Sequence, residues 1–414
     1  MTKKIIISTV IMGFMALGVY TAWRTHNGST DFDTFYYAAR HVIDRVPIYT
    51  PVKDVSPYIY PPFFACLISP LALLGLEAAS FLWYILSLAL FAVSMTISAI
   101  LVFGHTDIRR IWNSGPFLPK AMFLALTGAI FIDNISLLQS NILLFFAVVT
   151  GLYYFKKGRF VSGGILFGLA ISIKLLPALF LVYFIVKRKF KMVASCMIWI
   201  IVFTLIVPSL FLGPKGTLDS LMVWNGSMFT KSVSSVPNDD MMGQMFNPVN
   251  QSITASLSRW LIKNDGPILF WKNNCYKKYP RLLADFQGPL SRSSVLIISY
   301  TIEFMLVAFT LLYCMRRKKG EEDSASNSEF ALVFAASLFL DPFLKTPHLI
   351  FIIFPAIFIV SRIRGRHLKY FAFAAAAILY LSLGVKLFRI FGFGTISLLL
   401  LWLSVPLREK DLLV

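Results

Sequence analysis

The sequence predicts an all-α polytopic membrane protein of about 11–13 transmembrane helices, forming a single integral membrane domain over residues 1–414. Three observations predict it. Hydrophobic residues make up 57% of the chain and charged residues only 14%, whereas soluble domains carry about 25% charged residues. Apolar runs at 5–23, 81–103, 192–212 and 295–315 approach the ~20 residues that cross hydrocarbon. Basic residues gather in short clusters between such runs, at 156–159, 187–191, 316–319 and 362–369, as they do in cytoplasmic loops. Those clusters account for the net charge of +19 without nucleic acid. A nucleic-acid groove interleaves basic and aromatic residues on one surface, and no segment here does.

The elements follow in order. Lys3-Lys4 and the apolar run after it resemble a secretory leader, but no small-x-small cleavage site follows, so the segment reads as an uncleaved first helix. With the basic clusters inside, residues 24–60 form a first outer loop. Within it Phe32, Phe35, Tyr36, Ala39, Val42, Ile43 and Val46 recur at helical spacing. An amphipathic helix is therefore expected there, lying in the interface or on top of the bundle, with Thr30 and Asp33 as its capping box. Residues 61–103 hold two apolar runs, and an inside position for Arg109-Arg110 allows only one crossing. Either 61–75 lies in the interface or 104–120 is outside. Segments 160–186 and 329–361 each lie between cytoplasmic clusters. Each must therefore be a hairpin, with arms of roughly 13–16 residues meeting at the outer face. Residues 213–294 form a second large outer segment, and 320–327 read as a flexible connector. Cys66, Cys196, Cys275 and Cys314 show no metal-ligand spacing, so neither a disulfide framework nor a zinc site is expected. No metal and no cofactor is predicted.

Four polar sets carry possible chemistry. Asp31 and Asp33 stand among Phe32, Phe35, Tyr36, Tyr37, Tyr49, Tyr58 and Tyr60, ahead of the Pro61-Pro62 corner. A capped helix explains Asp33. Asp31 either answers the positive helix end or serves as a base toward a hydroxyl. Lys174, midway through its hairpin, either snorkels or is a functional cation. Gln139 and Asn141 are polar glue between helices or ligand contacts. The run Asp341-Pro342-Phe343-Leu344-Lys345-Thr346-Pro347-His348 puts an acid, an amine and an imidazole at the outer end of a hairpin. Its prolines impose a broken path, tolerated at membrane depth only where it lines a cavity or meets water. One topology puts all four sets near the outer surface.

The ordered set Asp31-Phe32-x-x-Phe35-Tyr36-x-Ala38-Ala39, Tyr49, Tyr60-Pro61-Pro62-Phe63, Gln139-Ser140-Asn141, Gly163–Ala170, Lys174 with Pro177, and His348 resembles glycosyltransferase family 87. Leu138 stands where the family's usual form has glycine, and 340–348 lacks the family's tryptophan and one of its two histidines. The resemblance implies the GT-C membrane fold and a polyprenyl-phosphate-mannose-dependent α-mannosyltransferase. Asp31 would match its catalytic aspartate and His348 its late outer-loop histidine. The expected reaction moves mannose from a polyprenyl-phosphate donor to a lipid or glycan hydroxyl on the extracytoplasmic face of a bacterial inner membrane, by a single inverting displacement. Asp31 is the expected base. Lys174 and Lys345 would bind the donor phosphate, and Tyr36, Tyr60, Gln139 and Asn141 the substrates. Two alternatives stand beside it: a GT-C enzyme for another sugar, and a lipid-linked glycan flippase without catalysis. A flippase predicts charges deep in the bilayer and inverted repeats, and neither is visible.

Overall fold

The computed structural model describes residues 2–104, 117–226, 247, 249–262, 288–315, 322–362, 375, 377–379, 389 and 392–406. Among these there is no β-strand, and the chain is an all-α polytopic membrane protein. Among the described residues, three helices are long and apolar enough to cross a membrane: Leu76–Phe103, Phe190–Asn225 and Arg292–Met315. Four apolar helices are shorter: Asn141–Lys156, Phe160–Ile173, Thr346–Ser361 and Phe393–Ser404. By internal packing the chain divides into two compact units.

The first unit comprises Met1–Ile97, Phe131–Pro177 and Phe190–Lys231. Helix α1 (Thr2–His26) is continuous through the expected first span. Helix α2 (Phe32–Asp44) is the predicted amphipathic helix. It ends earlier than the periodicity implies, because Arg45 adopts the left-handed conformation (φ 57°) and leaves Val46 exposed. Its apolar face packs on α3 (Pro62–Ile68), where Ala38, Val42 and Ile48 meet Ala65 and Cys66. Phe35 lies edge-on to Phe64 with centroids 5.0 Å apart. Pro62 suits the first position of α3, whose N–H would have no intrahelical partner. With seven residues, α3 is about 10 Å long. It is too short to cross, whereas α4 (Leu76–Phe103) is long and apolar enough to do so. The end of helix α5 (Phe117–Ser136) from Phe131 onward, α6 (Asn141–Lys156) and α7 (Phe160–Ile173) also belong to this unit.

Helix α7 meets the later α9 (Phe190–Ile201) through Gly164 and Gly168, one turn apart. A Cβ on Gly164 would fall 2.0 Å from Ser195 Oγ and 2.8 Å from its backbone carbon. A Cβ on Gly168 would fall 2.6 Å from Trp199 Cβ. This is the small-xxx-small contact that lets membrane helices approach closely. Beyond α9, a five-residue π-turn (Val202–Ile206) leads into α10 (Val207–Asn225). Gly213 breaks this helix with φ 73° and ψ 163°, followed at once by Pro214. The far end is tied down by Trp224, whose indole N–H donates to the Ile59 carbonyl at 3.1 Å.

The second unit comprises Ser98–Ile130, Ala178–Lys189 and Ser232–Val414. Its described helices are α8 (Ala178–Val186), α11 (Ile253–Leu261), α12 (Arg292–Met315), α13 (Glu322–Phe339), α14 (Ile353–Arg362) and α15 (Phe393–Ser404). Phe334 on α13 stacks on Phe354 of α14 at 5.1 Å and meets Phe180 of α8 edge-on at 4.9 Å. Residues 322–327 correct the expected connector, since they form the first turns of α13. At the end of this stretch Asn327 Nδ2 donates to the Leu101 carbonyl at 2.6 Å. Glu329 Oε1 receives Lys187 Nζ at 2.7 Å and its Oε2 receives the Tyr183 hydroxyl at 2.8 Å. Lys187 Nζ also donates to the Cys314 carbonyl at 2.9 Å, so one member of a basic topology cluster is the partner of a buried carboxylate. The expected hairpin at 329–361 is present as α13, a non-helical turn at Asp341–Lys345, a 3-10 helix (Thr346–Ile352) and α14. Cys66, Cys196 and Cys314 are buried thiols. Arg109, Arg110, Trp271, Cys275, the basic residues 316–319 and 363–369, and most of 213–294 beyond Gly226 lie outside the described residues.

Candidate active site

The two carboxylates of the first outer loop have opposite surroundings. Asp31 is the N-cap residue of α2 and is exposed, yet its side chain caps no helix N–H. Its backbone N–H donates to the Leu137 carbonyl at 3.1 Å, and its Oδ2 accepts a hydrogen bond from Gln139 Nε2. The expected capping box does not form. The helix starts one residue too late for it, and the Thr30 hydroxyl pairs with that of Thr25 at 2.9 Å. Asp33 is buried, with Oδ1 accepting from the Thr34 backbone N–H at 2.6 Å and from the Thr34 hydroxyl at 3.3 Å. Burial pushes the Asp33 carboxyl above its ordinary 3.8 against those two hydrogen bonds, and the nearby Asp31 pushes the same way. Asp33 is thus enclosed in protein, while Asp31 faces outward.

The turn between α5 and α6 aims an amide at Asp31. Leu138 there takes the left-handed conformation (φ 54°), which glycine adopts at least cost. Its carbonyl receives the Trp83 indole N–H at 3.1 Å, and the Gln139 N–H closes the turn on the Asn134 carbonyl at 3.0 Å. Behind Gln139 sits Asn141, whose Nδ2 donates to Gln139 Oε1 and to Asn134 Oδ1, both at 3.4 Å. Asn141 Oδ1 receives Lys174 Nζ at 3.4 Å. Lys174 is extended (φ −153°, ψ 134°) where α7 ends, at the predicted break of its hairpin. Asn134 and Asn141 are fully buried and Gln139 is 6% exposed.

Tyr60 joins this group through its hydroxyl, which receives Ser140 Oγ at 3.2 Å. Its ring lies 5.1 Å from Phe35, 5.2 Å from Phe64 and 5.9 Å from Tyr58. The Tyr49 and Tyr58 hydroxyls donate to the Tyr60 and Pro61 carbonyls at 2.9 and 3.0 Å. Burial pushes both phenols well up. Tyr36 is not in this group: its hydroxyl donates to the Leu74 carbonyl at 2.8 Å and its ring meets Tyr37. The first unit therefore brings together Asp31, Tyr60, Gln139, Asn141 and Lys174.

The second unit holds His348 and Lys345. Asp341 Oδ1 accepts from the Phe343 N–H at 3.0 Å, and its Oδ2 lies 2.5 Å from His348 Nδ1. Both side chains are nearly enclosed, at 6% and 14% exposure. Lys345 is exposed, and its carbonyl receives the His348 N–H at 3.0 Å. The loop is held from behind by α11 and the residues before it. Asn250 Nδ2 donates to the Pro342 carbonyl at 2.9 Å, and the Gln251 N–H to the Leu344 carbonyl at 2.7 Å. Arg259 binds the Asn247 and Asn250 carbonyls at 3.1 and 2.9 Å. Asn134, Ser140, Asn250, Gln251 and Arg259 were not among the predicted site residues. A polar pair inside an apolar helix, as in Ile-Asp133-Asn134-Ile, is a signal that would have found Asn134. No group of metal-ligating side chains occurs among the described residues.

Fold and clusters together define a polytopic membrane protein whose polar chemistry is concentrated in the breaks between apolar helices. The model of glycosyltransferase family 87 matches residues 58–340, well over half of the chain, and the chain belongs to that family. Two curated relatives are polyprenol-phosphate-mannose-dependent alpha-(1-2)-phosphatidylinositol mannoside mannosyltransferases. The protein of Mycobacterium tuberculosis is 26% identical over 284 residues, covering 63% of this chain and 61% of the relative. That of Mycolicibacterium smegmatis is 26% identical over 263 residues, covering 59% and 56%. The match thus spans less than two thirds of either relative. No solved structure matches. The family match includes Tyr60, Gln139, Asn141 and Lys174, and its bounds leave out Asp31, Lys345 and His348.

Proposed function

We propose that the protein transfers mannose from a polyprenyl-phosphate donor to a hydroxyl of a lipid or glycan acceptor, on the extracytoplasmic face of the membrane. The observation that carries this reading is the exposed Asp31 carboxylate of a family 87 chain, held by Gln139, whose neighbour Ser140 bonds the Tyr60 hydroxyl. The names of the mycobacterial relatives support the donor class and point to a mannosylated phosphoinositide as one acceptor class. In the proposed reaction the acceptor oxygen attacks the anomeric carbon, and its proton passes to Asp31. The bond to the phosphate oxygen breaks with inversion, and polyprenyl phosphate leaves. Lys174 neutralises the charge that develops on the phosphate. In the second unit, Lys345 and the His348 imidazole are assigned anion-binding roles by their own chemistry. A sugar delivered on a lipid suits an outer face, where no nucleotide sugar is at hand.

The test is transfer of radiolabel from polyprenyl-phosphate-[14C]mannose by the purified full-length protein to added phosphoinositide, glycolipid or glycan acceptors. Asp31→Asn is expected to abolish transfer and Asp33→Asn to preserve it. Absence of transfer to every acceptor, or full activity of Asp31→Asn, would overturn the reading.

A further inference from the structure

Gln139 and Asn141 were expected to touch substrate, but their amides are committed to protein partners in a chain with a single permitted polarity. Lys174 Nζ can only donate, so Asn141 must present Oδ1 to it and turn its NH2 the other way. That NH2 meets two acceptors, Gln139 Oε1 and Asn134 Oδ1. With its oxygen engaged by Asn141, Gln139 must turn its own NH2 toward Asp31 Oδ2. Reversing any one amide would set oxygen against oxygen or nitrogen against nitrogen. The burial of Asn134, Gln139 and Asn141 keeps water from substituting for a lost partner.

We propose that Gln139 and Asn141 are positioning residues, forming a directional amide relay through which the Lys174 ammonium dictates that Asp31 receives an N–H donor. The relay rests on the reading of Asp31 as the base. It does two things to that base. It fixes the carboxylate rotamer at the start of α2, and it stabilises the ionised form that a base requires. Lys174 therefore acts on Asp31 through two amides as well as through space. Charged or titratable groups at the helix ends adjoining Asp31 are Asp33 at the start of α2, Arg24 and His26 at the end of α1 and Asp133 at the end of α5. Arg24 is engaged by the Ser29 and Ser136 carbonyls at 2.7 and 3.3 Å.

The experiment follows the Asp31 carboxylate directly, independent of turnover. Full-length protein labelled with 13C-aspartate, in nanodiscs, is titrated by infrared difference spectroscopy, with Asp31→Asn subtracted to isolate the Asp31 band. Gln139→Leu is expected to raise the protonation midpoint of Asp31 by about one pH unit, the effect of one lost hydrogen bond to a charged acceptor. Asn141→Leu alters no charge and does not touch Asp31, yet it is expected to move the midpoint the same way by about half as much. Asn141→Ala serves if the leucine variant does not fold. A midpoint unmoved by either Asn141 variant while Gln139→Leu shifts it would overturn the relay, as would an unmoved midpoint in Gln139→Leu. Loss of mannosyl transfer in the unaltered protein would instead strike the proposed function and leave this titration standing.

Discussion

Removing Lys187 leaves Glu329 as a buried carboxylate with one hydroxyl donor. The pair is 2.7 Å apart with side chains 15% and 8% exposed, so solvent screens it little. Breaking a pair of this kind by losing one partner costs about 3–5 kcal/mol, because the survivor keeps its desolvation and loses its compensation. Lys187→Met should therefore destabilise by about 3–5 kcal/mol, and Glu329→Leu by a similar amount. The double variant replaces both charges with hydrocarbon of comparable volume. What it leaves behind is the Tyr183 hydroxyl and the Cys314 carbonyl without these partners, at most about 1–3 kcal/mol each. The two single losses added together should exceed the double by several kcal/mol, and that difference is the coupling. Tyr183→Phe should cost about 1.5–3 kcal/mol, the value of a hydrogen bond to a charged group. Unfolding curves of the purified protein in mixed micelles, followed by tryptophan fluorescence, supply all four corners of the cycle. Single losses under about 1 kcal/mol, or additivity in the double variant, would show that the pair is hydrated and that burial is not what gives it strength.

Three further outcomes follow from the geometry. Gly164→Ala and Gly168→Ala should each lower stability by about 1–3 kcal/mol, since the added carbon meets backbone and Cβ atoms of α9. Gly128→Ala, with nothing within 4 Å, should be neutral or stabilising by up to about 1 kcal/mol in the same melts. Leu138→Gly relieves about 1–2 kcal/mol of left-handed strain but empties a fully buried site worth about 2–5 kcal/mol. The net is a loss, and a gain in melting temperature would refute it. Asp33 carries its proton more tightly folded than unfolded, so its contribution is fully present below 3.8 and is lost as pH rises through the elevated folded value. Asp33→Asn should therefore melt at or above the parent at pH 7, with that advantage gone below pH 3.8. A variant less stable than the parent at neutral pH would contradict the sign.

Periodicity made α2 legible because its partner face is a continuous apolar surface on α3, so the pattern alone encodes the burial. Its ends were not legible. Arg45 closes the helix by a backbone conformation, and Thr30 pairs with Thr25 instead of capping. The break at 341–345 was readable because Pro342 and Pro347 forbid a regular path. The start of α13 was not, since the polar run before Phe330 reads as solvated until Leu101 and Lys187, more than a hundred residues away in sequence, supply partners for Asn327 and Glu329. The site divides the same way. Asp31, Gln139, Asn141 and Lys174 were each conspicuous as polar residues at breaks between apolar runs. Their linkage required Asn134 and a helix-end geometry that no local spacing contains. Tyr36 sits on the predicted face of α2 but gives its hydroxyl to Leu74, a contact invisible to any window of neighbouring residues.

A straight helix of the 36 residues Phe190–Asn225 would be about 54 Å long, nearly twice the ~30 Å depth of hydrocarbon. The single torsion at Gly213 cuts it into a length of about 35 Å, which fits the slab with modest tilt, and a remainder of about 18 Å. That remainder ends at Trp224, whose indole grips Ile59, the neighbour of Tyr60. The end of the span is thereby tied to the aromatic cluster of Tyr58, Tyr60 and Phe64. A bilayer thick or thin enough to change the tilt of the span would act on residues 24–60 through that one hydrogen bond.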